Sequence, residues 1–373
     1  MSKVIVREAA YHYETLKPLV FEIMETLGGE KIKEHRQVLI KPNLLTTAKP
    51  DEAVLTHCLV VKAVVEYVLS KGVIPQVSDS PALGSFQKIL QESGLQDALR
   101  GMTVICKEFR EPCSVDIGSP FGVVELARDA VEAELIINLP KLKTHEQMLL
   151  TLGVKNMFGC VVGLRKSEWH LRMGANRGMF ARLLVLISER LKPAFTLIDG
   201  ILALEGEGPG KRGKPRQLGL LIAGDDALTV DAAVCRMFGL EPDRLPTLKA
   251  AREMAFLTEA AEMEGTVPSI PDFQLPSLSP LIYGPELLHG FIRRHLLQRP
   301  VCDGELCRMC GKCREFCPAA AIGQVPIGQA GSEVAFDYER CIRCYCCIEV
   351  CPAGALHARE PFAGKIVRRI IRK

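Results

Sequence analysis

The chain has 373 residues, of which 48% are apolar and 24% are charged, ordinary proportions for a globular protein large enough for two domains. Its net charge of +3 and its 6% of aromatic residues do not suggest a nucleic-acid-binding protein. The sequence contains no run of about eighteen apolar residues and no apolar segment near its N-terminus. We therefore expect neither a transmembrane helix nor a secretory signal, and we place the protein in the cytoplasm.

Apolar runs that end in polar residues alternate with helical patterns along the first 250 or so residues. The segment 56–72 predicts the first clear helix, with Thr56 as its N-cap and Gly72 just past its end. The alternation as a whole predicts an α/β domain with a doubly wound, mostly parallel sheet. The predicted strands are "VLIKPN" (38–43), "VIPQVSDS" (73–80), "ELIINLPKLKTH" (134–145), "AFTLIDG" (194–200) and "LGLLIAGDD" (218–226), and the later helices are "ARLLVLISERL" (181–191) and "ALTVDAAVCRMF" (227–238).

Polar and charged residues stand at the ends of these predicted strands. In open α/β sheets, ligands bind beyond the carboxyl ends of the strands, so we expect a polar crevice at one edge. Lysines flank several of these turns, and a convergent set of lysines would attract a phosphate or a carboxylate. The alternative is that the lysine side chains simply reach water.

His145 is the candidate proton-transfer group, because an unperturbed histidine titrates near neutrality. Lys141 and Lys143 are the other candidate catalytic residues. For His145 the alternative is a structural hydrogen bond, and for the aspartates it is the capping of a following helix. The candidate ligand-binding residues are Lys41, Asn43, Asp79, Lys155, Asn156, Asp199, Gly208 and Asp226.

The glycine-rich segment "GEGPGKRGKP" at 206–215 formally fits a dinucleotide-binding fingerprint. That fingerprint must follow a strand and open a helix, whereas a predicted strand comes next here. The segment is not a phosphate-binding P-loop either, because Arg212 occupies the Ser/Thr position. We therefore expect no nicotinamide or ATP site, and interpret the segment as a mobile basic loop over the crevice.

Fifteen cysteines occur, and ten of them fall between Cys302 and Cys351. Two runs spell C-x2-C-x2-C-x3-C-P, in which the first three cysteines wrap one cluster and the fourth reaches the other. The alternative, zinc, uses paired ligands and gives no reason for this spacing to occur twice. The spacing predicts two [4Fe–4S] clusters, one held by Cys307, Cys310, Cys313 and Cys351 and the other by Cys341, Cys344, Cys347 and Cys317.

Two further cysteines of this segment, Cys302 and Cys346, lie outside the repeated spacing and are predicted to be free thiols. So many closely spaced cysteines on a chain without an export signal favour a reducing compartment and metal-bound thiolates.

Composition predicts four regions along the chain. Residues 1–255 form the α/β domain, 256–300 a proline-rich connector with an amphipathic helix, 301–357 the cluster domain, and 358–373 a basic tail. The tail could contact an anionic membrane surface or an acidic partner. The alternative is a solvated tail that packs weakly on its own protein.

The motifs "LIKPNLL", "SDSP", "NLPKLKTH", "GVKNMFG", "LIDGILALEGEGPGKRGKP" and "AGDDALTVDAAV" occur in this order. In them the chain resembles the family known as domain of unknown function 362, over roughly residues 35–250, and residues 301–357 resemble a bacterial-type two-cluster ferredoxin domain. The resemblance implies an iron–sulfur protein of anaerobic or facultative metabolism, without implying a reaction. The family's motif stretches contain Lys41, Asn43, Asp79, Lys141, Lys143, His145, Lys155, Asn156, Gly208, Pro209, Asp226 and Asp231.

The expected function is that of an oxidoreductase. Electrons from a soluble donor would pass through two clusters to an anionic substrate or cofactor in the basic crevice. One alternative is an electron-transfer subunit whose α/β domain docks a partner enzyme. In either case the expected redox partner is a soluble electron donor or acceptor. Another is a non-redox protein that binds an anionic ligand and has structural or sensing clusters.

Overall fold

The computed structural model describes residues 2–163, 165–174, 176–257, 261–276, 278, 297–327 and 331–362. Connector residues 258–260, 277 and 279–296, which include most of the predicted amphipathic helix, and tail residues 363–373 lie outside the described residues. Within the described part, no helix is long and apolar enough to cross a membrane.

The α/β domain contains a sheet that has ten strands among the described residues. Its strands are β1 (Ser2–Glu8), β2 (Val38–Pro42), β3 (Gln76–Val77), β4 (Ile105–Cys106), β7 (Leu135–Leu139), β8 (Lys141–His145), β9 (Leu149–Thr151), β10 (Phe195–Gly206), β11 (Gly213–Gly224) and β12 (Ala261–Glu264), and a separate hairpin pairs β5 (Pro112–Asp116) with β6 (Val123–Ala127).

The strand order is β12-β1-β11-β10-β7-β2-β3-β4, with β8 and β9 attached beside β10. The run from β10 through β7, β2 and β3 to β4 is parallel. Strand β11 is antiparallel to both β10 and β1. The sheet is therefore mostly parallel and mixed at one side, which confirms the predicted fold class.

Helices cover both faces of this sheet. The helices are α1 (Tyr13–Thr26), α2 (Cys58–Ser70), α3 (Phe86–Glu92), α4 (Leu95–Ala98), α5 (Arg128–Glu132), α6 (Gly153–Asn156), α7 (Arg165–Met173), α8 (Arg177–Leu191), α9 (Ala227–Met237) and α10 (Pro246–Glu253), with 3₁₀ turns at Gly29–Glu34, Pro50–Glu52, Met157–Cys160 and Pro242–Arg244.

Side chains alternate between two apolar cores along each buried strand, as the pleat requires. In β2, Val38 and Ile40 enter the core beneath α1 and α2, whereas Leu39 enters the core beneath α8, α9 and α10. Because strands covered on both faces bury every residue, they read as continuous apolar runs in the sequence.

One predicted helix boundary differs from the structure. The N-cap of α2 is His57, whose ring nitrogen Nδ1 accepts a hydrogen bond from the backbone N–H of Leu59 at 3.2 Å. Thr56 instead donates its hydroxyl to the carbonyl oxygen of Leu139 at 2.6 Å. Its oxygen also accepts from the backbone N–H of Asn43 at 2.8 Å, so the hydroxyl joins two strand ends instead of accepting a capping bond from the helix.

The C-terminal domain is small and built from two antiparallel strand pairs and two short helices. It contains β13 (Arg299–Cys302), paired with β16 (Leu356–Arg359), and β14 (Ile322–Ile327), paired with β15 (Gly331–Phe336). The short helices are α11 (Lys312–Glu315) and α12 (Cys346–Glu349), and each begins within one of the two cysteine runs.

Candidate functional site

A cavity of about 90 Å³ lies between the α/β domain and the cysteine-rich domain. We call it the interdomain cavity. Seven of the residues predicted from sequence line it, and the cysteine-rich domain supplies part of its wall. The predicted residues are Lys41, Asn43, Asp79, Lys143, His145, Lys155 and Asn156, and the wall residues from the cysteine-rich domain are Phe316, Cys346, Glu349 and Val350.

Lys41 and Asp79 form a buried ion pair at the end of β2. The Nζ of Lys41 is 2.8 Å from Oδ1 of Asp79 and donates also to the carbonyl oxygen of Pro42 at 2.9 Å. Gly159 passes close by, and a Cβ at that position would lie 2.4 Å from Oδ1 of Asp79. Glycine is therefore required there for the backbone to pack against the pair.

Lys143 is buried without a carboxylate partner. Its Nζ donates to Oδ1 of Asn43 at 2.8 Å and to the carbonyl oxygen of Val54 at 2.7 Å. Burial, together with the nearby Lys155, lowers the pKa of Lys143 to about 7. Neutral acceptors stabilise an ammonium less than a carboxylate does, so this lysine exchanges its proton near neutral pH.

Two more lysines approach the interdomain cavity. Lys155 lies in the single turn of α6, and burial lowers its pKa although Glu349 partly opposes this. Lys166, on α7, donates to the carbonyl oxygen of Ser80, and burial lowers its pKa to about 8. The cavity lining thus has four lysines against the two carboxylates of Asp79 and Glu349, which leaves two positive charges uncompensated when all four lysines are protonated.

His145 lies against Glu349 of the cysteine-rich domain. Its Nδ1 accepts from the backbone N–H groups of Gln147 and Met148 at 3.1 and 3.2 Å, so the ring proton is on Nε2. Burial and the nearby Lys155 lower the pKa of His145 to about 4, so the ring is neutral at pH 7. Burial would raise the pKa of Glu349, but its contacts with His145 and Lys155 lower it overall.

Several buried polar atoms around the cavity have no hydrogen-bond partner among the described residues. Nε2 of His145 and Oε1 of Glu349 are 2.8 Å apart, but they are not aligned as donor and acceptor. Buried polar groups are normally satisfied, so a group of unsatisfied atoms indicates a missing ligand or water. The unpartnered atoms in the cavity lining are His145 Nε2, Thr151 Oγ1, His170 Nδ1 and Glu349 Oε1.

Lys141 and Asp199 do not line the interdomain cavity. The Nζ of Lys141 lies 2.8 Å from both Oδ2 of Asp199 and the hydroxyl of Tyr11, and this hydroxyl donates to Oδ1 of Asp199 at 2.6 Å. The Asp199 carboxylate also accepts from the backbone N–H of His57 at 2.9 Å. These groups form a closed buried cluster, so the structure does not bring the predicted catalytic Lys141 to the other candidates.

Asp226 and Gly208 are also outside the lining. Asp226 caps α9 by accepting from the backbone N–H of Thr229 at 2.7 Å. Because β11 is antiparallel to β10, its carboxyl end lies at the opposite edge of the sheet from the carboxyl end of β10. Gly208 packs on Thr144, where a Cβ would lie 2.4 Å from the carbonyl oxygen, and its neighbour Pro209 reaches the cavity.

The glycine-rich segment is the turn between β10 and β11, and it contacts the cysteine-rich domain. Arg212 donates to the carbonyl oxygen of Gly354 at 3.3 Å, and Lys211 pairs with Glu52 at 3.0 Å. The segment therefore forms part of the contact between the two domains. This placement agrees with the expectation that no dinucleotide fingerprint is present.

The eight cysteines of the two runs fall into two spatial sets. The outer set, Cys307, Cys310, Cys313 and Cys351, lines a cavity of about 30 Å³. Burial raises the pKa of Cys313, and the neighbouring Cys351, Cys310 and Cys307 raise it further. The fourth cysteine of the second run thus meets the first three of the first run, as crossed ligation requires.

The inner set consists of Cys317, Cys341, Cys344 and Cys347. Burial raises the pKa of Cys347, and Cys344, Cys341 and Cys317 are the nearest thiols that raise it further. No group of three or more His, Cys, Asp or Glu side chains in the described part of the chain converges closely enough to hold a single metal ion. The residues present fit multi-iron clusters, whose cysteines surround a volume instead of meeting at a point.

The residues that sequence reasoning missed come from outside the predicted strand ends. Thr151, Phe158 and His170 line the interdomain cavity from β9, a 3₁₀ turn and α7. Glu349 comes from a separate domain. The cysteine spacing contains no signal for Glu349, because its position lies between ligands where the pattern accepts any residue.

The fold and the cysteine sets define an iron–sulfur protein with a mostly parallel α/β domain. Residues 306–355 match the model of a 4Fe-4S dicluster domain, which confirms the predicted iron–sulfur domain. Residues 38–236 match the family described as Domain of unknown function (DUF362). The chain belongs to this family.

Two known proteins are similar to the chain. It is 35% identical over 261 residues to "Thylakoid-associated protein sll1697" from Synechocystis sp. (strain ATCC 27184 / PCC 6803 / Kazusa), a match that covers 69% of this chain and 81% of the relative. The lactate racemase apoprotein from Thermoanaerobacterium thermosaccharolyticum matches with a TM-score of 0.41 and 13% identity. That match covers 64% of this chain and 57% of the racemase chain.

Proposed function

We propose that the protein is an oxidoreductase that passes electrons through two [4Fe–4S] clusters to an anionic substrate or cofactor in the interdomain cavity. The outer and inner cysteine sets would hold one cluster each. The observation that carries the proposal is the position of α12. This helix contains Cys347 of the inner set, while its residues Cys346 and Glu349 form a wall of the cavity opposite the lysines.

The solvent exposure of the two cysteine sets indicates the direction of electron transfer. Cys310 of the outer set is exposed, whereas Cys341, Cys344 and Cys347 of the inner set are buried. A soluble one-electron donor would therefore reach the outer set, and the inner set would face the substrate. When bound, each cluster exchanges one electron, so two donor molecules are oxidised for each two-electron acceptor reduced, with two protons taken up.

The side chains of the cavity would bind the anion, orient it and supply the proton. The uncompensated lysines attract the anion and hold it beside α12. Lys143 supplies a proton during reduction, because its ammonium and amine forms are both populated near pH 7, and it then regains a proton from water. The neutral His145 directs its Nε2–H toward the cavity and orients the bound anion.

We place the protein in the cytoplasm, because its closely spaced cysteines need a reducing compartment to remain available for iron. Contact of the basic tail, residues 358–373, with a membrane surface or an acidic partner stays a prediction. The relative from Synechocystis is named as a thylakoid-associated protein, which is compatible with such a contact.

Removing the ammonium of Lys155 is expected to slow electron delivery to an anion. The anaerobic protein with reduced clusters is mixed with small reducible anions, namely nitrite, nitrate and sulfite, and re-oxidation is followed by cluster absorbance. We expect at least one of them to re-oxidise the wild type about tenfold faster than Lys155→Met, because the variant attracts the anion less strongly.

The matched control for that experiment is Lys249→Met, which removes an exposed lysine from α10, away from the cavity. It should behave like the wild type with every probe. Equal re-oxidation rates for the wild type and Lys155→Met would contradict delivery through the cavity, and would favour an electron-transfer subunit that passes electrons directly to a partner.

Anion binding is expected to weaken as the pH rises through about 7 to 8. The pKa values of Lys143 and Lys166 are lowered by burial to about 7 and about 8, so both ammonium groups lose their protons in this window. The charged groups that act on Lys143 are Lys155, Glu349, Asp79 and Lys141. For each proton lost, the affinity falls by up to about tenfold per pH unit.

Calorimetric titration with sulfate tests this prediction, because the charge of sulfate is constant between about pH 6 and 9. The dissociation constant should be level below pH 7 and rise above it. In Lys143→Met the rise should begin at a higher pH, where the Lys166 ammonium, whose pKa is about 8, loses its proton. A profile that stays flat in the wild type would show that these lysines do not bind the anion.

A further inference from the structure

We propose that the ligand of the interdomain cavity is a small oxyanion or short carboxylate of roughly three to five non-hydrogen atoms, and that nucleotides and flavins do not enter. This inference rests on the proposed function, because it names the class of anion that the cavity beside the clusters would hold; phosphate and acetate, which the clusters cannot reduce, serve only as probes of binding. Three independent features of the cavity support it: its volume, its charge and its unsatisfied polar atoms.

The volume limits the size of the ligand. The cavity measures about 90 Å³, whereas an apolar cavity of about 150 Å³ is known to take benzene, which has six non-hydrogen atoms. Bicarbonate, acetate and phosphate are within this limit, and a nucleotide or a flavin is several times larger. Phe158, Phe316 and Val350 form apolar parts of the wall.

The charge of the cavity selects an anion. Asp79 is already paired with Lys41, and its second oxygen accepts from the backbone N–H of Leu44 at 2.7 Å. Among the described residues, Lys155, a half-buried residue of the lining, has neither a hydrogen-bond acceptor nor an ion-pair partner within contact distance. An ammonium held in that position needs a counter-charge, and a small anion in the cavity supplies it.

The unsatisfied atoms indicate which kind of anion fits. The hydroxyl of Thr151 is a donor without an acceptor among the described residues, and Nε2–H of His145 is not aligned with its 2.8 Å neighbour, Oε1 of Glu349. Oε1 of Glu349 is an acceptor without an aligned donor in the same part of the chain. An anion that also has an O–H group, such as bicarbonate or hydrogen phosphate, would satisfy all three together with Lys155.

Calorimetric titration of the anaerobically reconstituted protein tests the size and the chemistry together. The small probes are bicarbonate, hydrogen phosphate and acetate, and the large probes are ADP and flavin mononucleotide. We expect at least one small probe to bind, with its dissociation constant raised about tenfold or more in Lys155→Met and severalfold in Thr151→Val. Lys249→Met should leave it unchanged, and cluster absorbance and melting temperature show that each variant is folded.

Either of two results would overturn the inference: no small probe binds, or a large probe binds and loses affinity in Lys155→Met. Two other results distinguish a failure of the size limit from a failure of the proposed function. If flavin mononucleotide binds through Lys155 and accepts electrons, the size limit is wrong but the oxidoreductase remains. If phosphate binds through Lys155 but the reduced clusters deliver no electron to any cavity ligand, the anion site remains and the oxidoreductase is wrong.

Discussion

Replacing Cys347 by Ser is expected to remove about half of the iron and to lower the thermal stability of the protein, whereas Cys346→Ser keeps its full iron content. Both cysteines are buried in α12 and are adjacent in sequence. Cys347 lies beside Cys344, Cys341 and Cys317 and completes the inner set, whereas Cys346 is hydrogen-bonded to Cys344 but stands outside the repeated spacing. Because cluster binding is part of the folding free energy of a small metal domain, losing one ligand weakens the whole domain.

Iron and acid-labile sulfide analysis measures the first effect, and thermal unfolding measures the second. The Cys347 variant should also expose the interdomain cavity, because α12 forms one of its walls. If the iron content falls in Cys346→Ser and is retained in Cys347→Ser, the ligand register derived from the spacing is wrong. Equal iron contents in the two variants would show that Cys347 is not a cluster ligand.

The parts of the site that depend on local sequence patterns could be predicted from the sequence alone. The cysteine spacing identified an iron–sulfur domain, because wrapping a cluster demands a fixed number of residues between ligands. The apolar runs identified the parallel strands, since strands covered on both faces bury every residue. Lys41, Asp79, Lys143 and His145 follow such strands, and the structure places all four in the lining of one cavity.

Two candidate residues that the sequence placed with the others, Asp226 and Lys141, lie outside the cavity lining because of strand direction and register. Asp226 follows an apolar run like the others, but β11 is antiparallel and ends at the opposite edge of the sheet. Lys141 and Lys143 are two residues apart, so a regular strand would direct both to one face. The pairing of β8 with β10 shifts between Asp199 and Leu204, and the two lysine side chains enter different surroundings.

The association of the two domains could not be predicted from any local pattern. Glu349 and Cys346 approach His145 across roughly two hundred residues of sequence. The contact depends on how the cysteine-rich domain packs on the turn between β10 and β11, and on Arg212 reaching Gly354. Charge and hydropathy along the chain contain no signal for this arrangement, because each segment reads as an ordinary surface by itself.

Lys141→Met is expected to destabilise the protein by about 3–5 kcal/mol, the usual cost of removing one partner of a buried ion pair. Lys141 and Asp199 are fully buried, and their 2.8 Å contact is closed by Tyr11. Without the ammonium, the carboxylate keeps the Tyr11 hydroxyl and the backbone N–H of His57 but has no counter-charge. Thermal and denaturant unfolding measure the loss.

The double variant Lys141→Met/Asp199→Asn shows whether the loss comes from the unpaired charge. It should be less destabilised than the sum of the two single variants, because no charge is then left buried. Below its unfolding temperature, Lys141→Met should bind sulfate with wild-type affinity, since this lysine does not line the interdomain cavity. If Lys141→Met is stable but no longer binds sulfate, Lys141 belongs to the anion site, as its position at a predicted strand end suggested.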